Sequence, residues 1–218
     1  MDSGGGPPDE EEKSMTTALF HGGIRTIPLT LLLALLLAAC ATPSPPSRFY
    51  RLTAEAPATE RRSGLVIGVG PVLLAGYLDR PQMVTPVDGN RLRIDEFERW
   101  AGGLERNLAM VMAENLSRLL GTDAVVIQPW GSRLPLDYQV ALEIRRLERD
   151  TDGQVRLLAQ WRLFRGDGDR LVGIHRSEFS APLSGTGYDA QAVAESRLLV
   201  PLAREIAAAI EEAEKAAR

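Results

Sequence analysis

Three consecutive segments between Asp137 and Phe179 constrain this chain more than any other part of it. From Asp137 to Glu148, apolar Tyr138, Val140, Leu142 and Ile144 alternate with Gln139, Ala141, Glu143 and Arg145. Side chains in a strand point to opposite faces with period 2, so the pattern predicts a strand with one buried and one wet face. Thr151-Asp152-Gly153 predicts a turn, Val155–Phe164 a second strand, Gly166–Asp169 a second turn and Leu171–Phe179 a third strand. Connections this short join antiparallel neighbours. The result is a meander whose dry face must be covered by other elements.

Those elements are readable on either side. Arg48–Leu52 predicts a short strand, and the continuous apolar run Leu65–Gly70 a central one. Met83–Thr85 and Arg91–Ile94 flank Val87–Asn90, where Asp88-Gly89 is a hairpin signal. Asp95 reads as an N-cap with Glu98 three residues on. Beyond it Phe97, Trp100, Leu104, Leu108, Val111, Met112, Leu116 and Leu119 recur at helical spacing up to Gly121, the expected C′ residue. Gly102 and Gly103 would each cost this helix about 1 kcal/mol, unless it starts near Leu104. Ala124–Gln128 predicts a further short strand. Asp189 is the expected cap of a last helix, Ala190 to about Ala213, with Val193, Leu199, Leu202, Ile206 and Ile210 apolar and a kink or break at Pro201. The expected fold is a single α+β domain, 48–213: a mixed, largely antiparallel sheet with two main helices packed on it.

The N-terminus is of another kind. Residues 1–14 are acidic and rich in Gly and Pro, with no apolar run to bury. After Met15, which reads as the true start, comes a segment with one positive charge, Arg25, and then thirteen uncharged residues, Ile27–Ala39. About 20 apolar residues are needed to span a bilayer, whereas a signal-peptide apolar region needs ~7–15. Leu37-Ala38-Ala39-Cys40 resembles the bacterial lipobox, which implies cleavage after residue 39 and a diacylglyceryl group on the Cys40 thiol. Residues 1–39 are thus a signal peptide, and 40–47 a lipidated cysteine with a Pro/Ser linker that spans roughly 20 Å. The remaining 179 residues carry 24 acids and 23 bases, a net charge of −1. The residue after Cys40 is Ala41 and not the Asp that retains lipoproteins in the inner membrane of enteric-type bacteria. The expected location is the periplasmic face of the outer membrane.

Composition removes most chemistry. The chain is 44% hydrophobic and 25% charged, an ordinary globular balance, and no basic cluster suits it to nucleic acid. Cys40 is the single cysteine and His21 and His175 the only histidines, which excludes an intrachain disulfide and a Cys/His zinc site. Gly68-Val69-Gly70 follows a strand but opens no helix, so it is not a dinucleotide fingerprint. No nucleophile elbow, P-loop or zinc-protease motif occurs. His175 reads as a surface or sheet histidine rather than a base, and Trp100 and Trp161 as core aromatics. Asp150 with Asp152, and Asp167 with Asp169, bracket hairpin turns. Arg145-Arg146 and Arg61-Arg62 are small solvated basic spots. No metal is expected, and no cofactor beyond the covalent lipid on Cys40.

One segment invites a different reading. Val69-Gly70-Pro71-Val72 leads through Leu73–Gly76 to Tyr77-Leu78-Asp79-Arg80-Pro81-Gln82. With Phe49–Leu52, Trp100-Ala101, Asn115-Leu116 and Arg204–Ile210, it resembles the PqiC type of ABC-transport auxiliary lipoprotein. The resemblance covers about residues 48–210, with Gly102-Gly103, Ala75-Gly76 and Pro201 as departures. It implies a non-enzymatic subunit, partnered by an MCE-domain protein and an integral membrane component, in phospholipid transport between inner and outer membranes. The lipoprotein would be the outer-membrane docking end, with self-assembly a further expectation. The alternative is an envelope scaffold or regulatory lipoprotein that binds a periplasmic protein without lipid transport. Tyr77, Asp79, Arg80, Pro81 and Gln82 combine the residue types that partner contacts use. The competing reading is a structural corner, in which Pro81 fixes the backbone, Asp79 pairs with Arg80 or caps a turn, and Tyr77 fills the edge of the core.

Overall fold

The structure is a computed structural model that describes residues 44–60, 64–131, 134–166, 168 and 170–218. Cys40, Ala41, Arg61-Arg62, Asp167, Asp169 and the whole of 1–39 lie outside the described residues. The elements are β1 (Arg48–Tyr50), β2 (Ile67–Leu74), β3 (Gln82–Asp88), β4 (Arg91–Trp100), α1 (Leu104–Leu120), β5 (Val125–Ile127), β6 (Tyr138–Arg149), β7 (Gln154–Arg165), β8 (Arg170–Pro182) and α2 (Gly187–Ala216). All belong to one unit, Pro46–Arg218.

The expected meander is β6-β7-β8, paired antiparallel throughout. Along β7 every odd residue from Val155 to Leu163 is buried and every even one is half-exposed. β2 pairs parallel with β6 on one side and with β5 on the other, giving a five-stranded sheet in the order β5-β2-β6-β7-β8. α1 and α2 lie side by side on its dry face, α1 over β2 and β5, α2 over β6, β7 and β8. Leu108, Val111, Met112 and Leu116 of α1 and Leu199, Leu202, Ile206 and Ile210 of α2 are all 5% exposed or less. The architecture is α+β.

The remaining strands form a second, three-stranded sheet, β1-β4-β3, where one sheet was expected. The hairpin β3-β4 turns through Gly89-Asn90 and is closed by an Asp88–Arg91 ion pair, which holds the Asp88 carboxyl below its usual pKa. The strand after the turn runs on to Trp100, so Asp95 is not a helix cap, and Phe97 and Trp100 are strand residues. The cause lies far off in the sequence. Glu98 is buried in β4, where it accepts hydrogen bonds from the Arg48 guanidinium and, at 2.5 Å, from the Tyr50 hydroxyl of β1. Burial and then this bond push the Tyr50 hydroxyl up to about 12. α1 starts at Leu104 behind Gly103, and Gly121, at φ 62°, ends it as expected.

β2 continues past Gly70 to Leu74, four residues beyond the expected end. Proline is tolerated in a sheet at a bulge, and the β2–β6 register shifts between Val69 and Val72, on either side of Pro71. Gly70 has φ +140°, and a Cβ there would lie 2.6 Å from Cβ of Gln128, so only glycine fits. The last helix begins at Gly187 rather than behind Asp189, which instead sits in the first turn, where a carboxylate complements the helix dipole. Pro201 does not break it. The fully buried Leu199 and Leu202 on either side hold the helix together against the missing hydrogen bond. Val193 is 43% exposed and faces away from the sheet.

One charge in α2 points inward. Glu195 is fully buried, its Oε1 accepting a hydrogen bond from Gln191 Nε2 at 2.8 Å and its Oε2 left without a partner among the described residues. Burial, with the nearby Glu148 charge adding to it, pushes Glu195 from 4.5 up to about 8, so the carboxyl is protonated at neutral pH.

Two predictions follow from this core. Leu108→Ala and Leu116→Ala should each lower the unfolding free energy by about 2–5 kcal/mol in denaturant melts. Because the folded state of Glu195 holds its proton to higher pH than the unfolded chain, its contribution to stability is full below about 4.5 and lost as the pH rises through about 8. The denaturation midpoint of the native sequence should therefore fall relative to that of Glu195→Gln across this window and level off above it.

Candidate functional site

The segment from Ala75 to Pro81 is the bridge between the two sheets, leaving β2 of one and entering β3 of the other. Its backbone is tied at several points. Ala75 N–H donates to Ile144 O at 2.9 Å, Leu78 N–H to Ala75 O at 2.8 Å, and Trp100 N–H to Pro81 O at 2.7 Å. Leu78 is 4% exposed and plugs the core beneath the bridge.

The five residues singled out in this stretch divide into two kinds. Tyr77 is half-buried, and its hydroxyl donates to Arg145 O at 3.3 Å. Burial and the Glu148 carboxylate raise the pKa of that hydroxyl, which stays protonated across the physiological range. Pro81 is exposed but anchors β4 through its carbonyl, and Gln82 enters β3 with its Nε2 donating to Glu96 Oε2 at 3.2 Å. These three serve the corner itself.

Asp79 and Arg80 do not. The Asp79–Arg80 ion pair or turn cap that the structural-corner reading offered is not formed, and neither side chain makes an ion pair or a side-chain hydrogen bond among the described residues. Asp79 is exposed and lines a cleft of about 320 Å³ with Val69, Arg106 and Gln128. Arg80 is half-buried, with its Nε shielded from solvent and unpartnered.

Behind Tyr77 lies a buried polar cluster that the sequence reading missed. Glu148 is 4% exposed and accepts from Arg146 Nε at 3.0 Å. Glu148 Oε2, Glu195 Oε2 and Gln191 Oε1 all lack partners among the described residues. Helical phase was a usable signal, since Gln191, Glu195, Leu199 and Leu202 follow one another at three- and four-residue steps on one face of α2.

Elsewhere the polar groups are structural. Asp150 accepts from Thr151 N–H at 2.7 Å and pairs with Arg156 at 3.0 Å, and Asp152 accepts from Gln154 N–H at 2.9 Å, as turn carboxylates do. Arg145 and Arg146 pair with Glu143 and Glu148. His175 stacks on Trp161 with ring centroids 4.1 Å apart, while the Ser177 hydroxyl accepts from Trp161 Nε1 and donates to Glu205. Trp100 and Trp161 are core aromatics at 6% and 2% exposure. No cluster of three or more His, Cys, Asp or Glu able to hold a metal occurs among the described residues. No helix among them is long and apolar enough to cross a membrane.

The fold has solved relatives. A protein from Xanthomonas campestris superposes with a TM-score of 0.65 at 17% identity, the match covering 78% of this chain and 99% of that one. The crystal structure of an uncharacterised protein gives a TM-score of 0.62 at 21% identity, over 76% of this chain and 99% of its own. At these identities the likeness is one of fold. No curated protein sequence matches the chain. The model of a family of auxiliary transport components, which are not enzymes, matches residues 50–207, most of the unit just described. With β2 through β8, α1 and most of α2 inside that match, the chain belongs to the ABC-type transport auxiliary lipoprotein component family.

Proposed function

We propose that this protein is the lipid-anchored periplasmic subunit of an MCE-type phospholipid transport system, docking that system at the outer membrane, with the exposed tip of the Tyr77–Gln82 bridge as its contact for the MCE-domain partner or a neighbouring copy. The observation that carries the reading is the division within the bridge. Tyr77, Leu78 and Pro81 fix its shape, while Asp79 and Arg80 are held out of internal pairing. A charged pair on a rigid corner suits recognition, because little ordering is lost on binding. Membership of an auxiliary transport family supplies the class of function. The role is mechanical: the anchored domain holds the transporter's partner at the membrane, and neither cofactor nor catalysis enters.

The anchor is tested first. One acyl chain binds membranes only marginally, while two or more hold firmly at about 0.8 kcal/mol per buried CH₂. Cys40→Ser should move the protein out of the membrane fraction or leave it unprocessed, and unchanged anchoring in that variant contradicts the lipobox reading. Ala41→Asp should shift the protein to the inner membrane where the enteric sorting rule operates.

The contact is tested by pairing two measurements. Asp79→Ala, at an exposed position with no partner to lose, should change stability by no more than about 0.5 kcal/mol, and the half-buried Arg80 is tested by Arg80→Gln, which keeps most of its packing stem. Both should abolish or strongly weaken co-purification of the MCE-domain protein, at a cost of about 2 kcal/mol or more if they are central to the contact. Early unfolding of both variants, or normal binding by both, ends the interface reading.

A further inference from the structure

Between the start of the domain and α1 runs an open groove of about 730 Å³. Its floor includes Leu52 and Val111, and Arg51 and Arg106 stand at its rim. Both arginines are exposed, and neither makes an ion pair or side-chain hydrogen bond among the described residues. The groove's one carboxylate, Glu114, is neutralised by Arg118 at 2.7 Å. Asp79 and Glu105 share the neighbouring cleft with Arg106 without pairing with it. Two large apolar side chains lie outermost. Met110 on the groove is 52% exposed, and Phe49, two residues before Arg51 in the chain, is 64% exposed. Phe49 and Arg51 are exposed, while Tyr50 and Leu52 beside them are buried.

The segment that carries them is fixed. Asn107 clamps Leu52, accepting from its N–H at 2.7 Å, and Asn115 Oδ1 accepts from Ala56 N–H at 3.0 Å. Thr53 N–H donates to Ser196 Oγ at 3.1 Å. Free cations and exposed apolar side chains on a rigid surface are the make-up of a membrane-surface contact. The chain outside the described residues says which surface is near. Phe49 is nine residues after Cys40, and an extended chain spans at most about 3.3–3.6 Å per residue, so it stays within about 30 Å of the anchor.

We propose that Phe49, Arg51, Arg106 and Met110 form a face that rests on the anionic lipid surface holding the anchor, so that the domain is oriented on the membrane and does not swing freely from its linker. The tether argument rests on lipidation of Cys40. The test leaves the lipid out, so that failure of the anchor and failure of the face are told apart.

The chain from residue 40 onward, with Cys40→Ser, keeps the whole unit Pro46–Arg218, and solved relatives consist almost entirely of the matched part. It should co-sediment with vesicles of phosphatidylethanolamine and phosphatidylglycerol, and much less with phosphatidylcholine vesicles, the binding falling with added salt. Each arginine near an anionic surface is worth about fivefold, so Arg51→Gln with Arg106→Gln should weaken binding by roughly 25-fold. Phe49→Ser should weaken it further. Arg170→Gln on β8, at the sheet edge opposite the strands under α1, should leave it unchanged. Thermal melts of all these variants should match the parent. Absence of binding to phosphatidylglycerol vesicles at low salt overturns the proposal, as does parental binding by the double arginine variant. Self-association abolished by Phe49→Ser, without vesicle binding, would make the face a contact between copies and overturn it equally.

Discussion

Two helices on one face of the β5-β2-β6-β7-β8 sheet set the terms for the rest of the molecule. A sheet residue's direction has period 2 and a helix residue's 3.6, so the seam between them closes only if both registers are kept. Odd positions of β7 and the Leu108, Met112, Leu116 and Leu199, Leu202, Ile206 stripes meet there with almost no exposure. Each such side chain gains about 1.5–3 kcal/mol from burial, enough in sum to carry Pro201 and the neutral Glu195 in the same helix. The wet face of the meander is then left to ion pairs such as Arg145–Glu143 and Arg156–Asp150.

The smaller sheet depends on that arrangement and positions both of the proposed contact surfaces. β1 pairs parallel with β4, and the buried Glu98 joins them through Arg48 and Tyr50. The residues that follow β1, Arg51 and Leu52, lie against α1. The same sheet receives the Ala75–Pro81 bridge through Trp100 N–H and Pro81 O, so Asp79 and Arg80 sit on a corner held at both ends. One side of the domain carries the segment that follows the lipid linker, and the bridge offers a charged corner beside it, Asp79 and Arg106 lining one cleft. The proposed role, to hold a transporter's partner at a membrane, needs two such surfaces.

How much of this was readable depended on how local each determinant is. The meander, the burial of Leu108, Val111 and Leu116, and the αL glycine at Gly121 are written in short-range periodicity and turn chemistry, and all appear as expected. Asp95 and Glu98 were misread as a helix start because the partner that makes Glu98 a buried strand residue, Arg48, is 50 positions away. β2 was cut short at Gly70 because the bulge that admits Pro71 exists only against β6. In the bridge, residue types marked the segment, but the neighbouring charges of Asp79 and Arg80 suggested a pair that the fixed backbone does not bring together. Cys40 carries its meaning in the sequence alone and lies outside the described residues.

The account turns on whether the Asp79–Arg80 corner touches the transporter. A photo-activated cross-linking residue placed at Asp79, with a matched control at Val172 on the exposed edge strand β8, tests this in intact cells. The account predicts an adduct with the MCE-domain protein, or with a second copy of this chain, from position 79 and none from position 172. Adducts of equal yield from both positions, or none from position 79 while the protein remains anchored and folded, would contradict it.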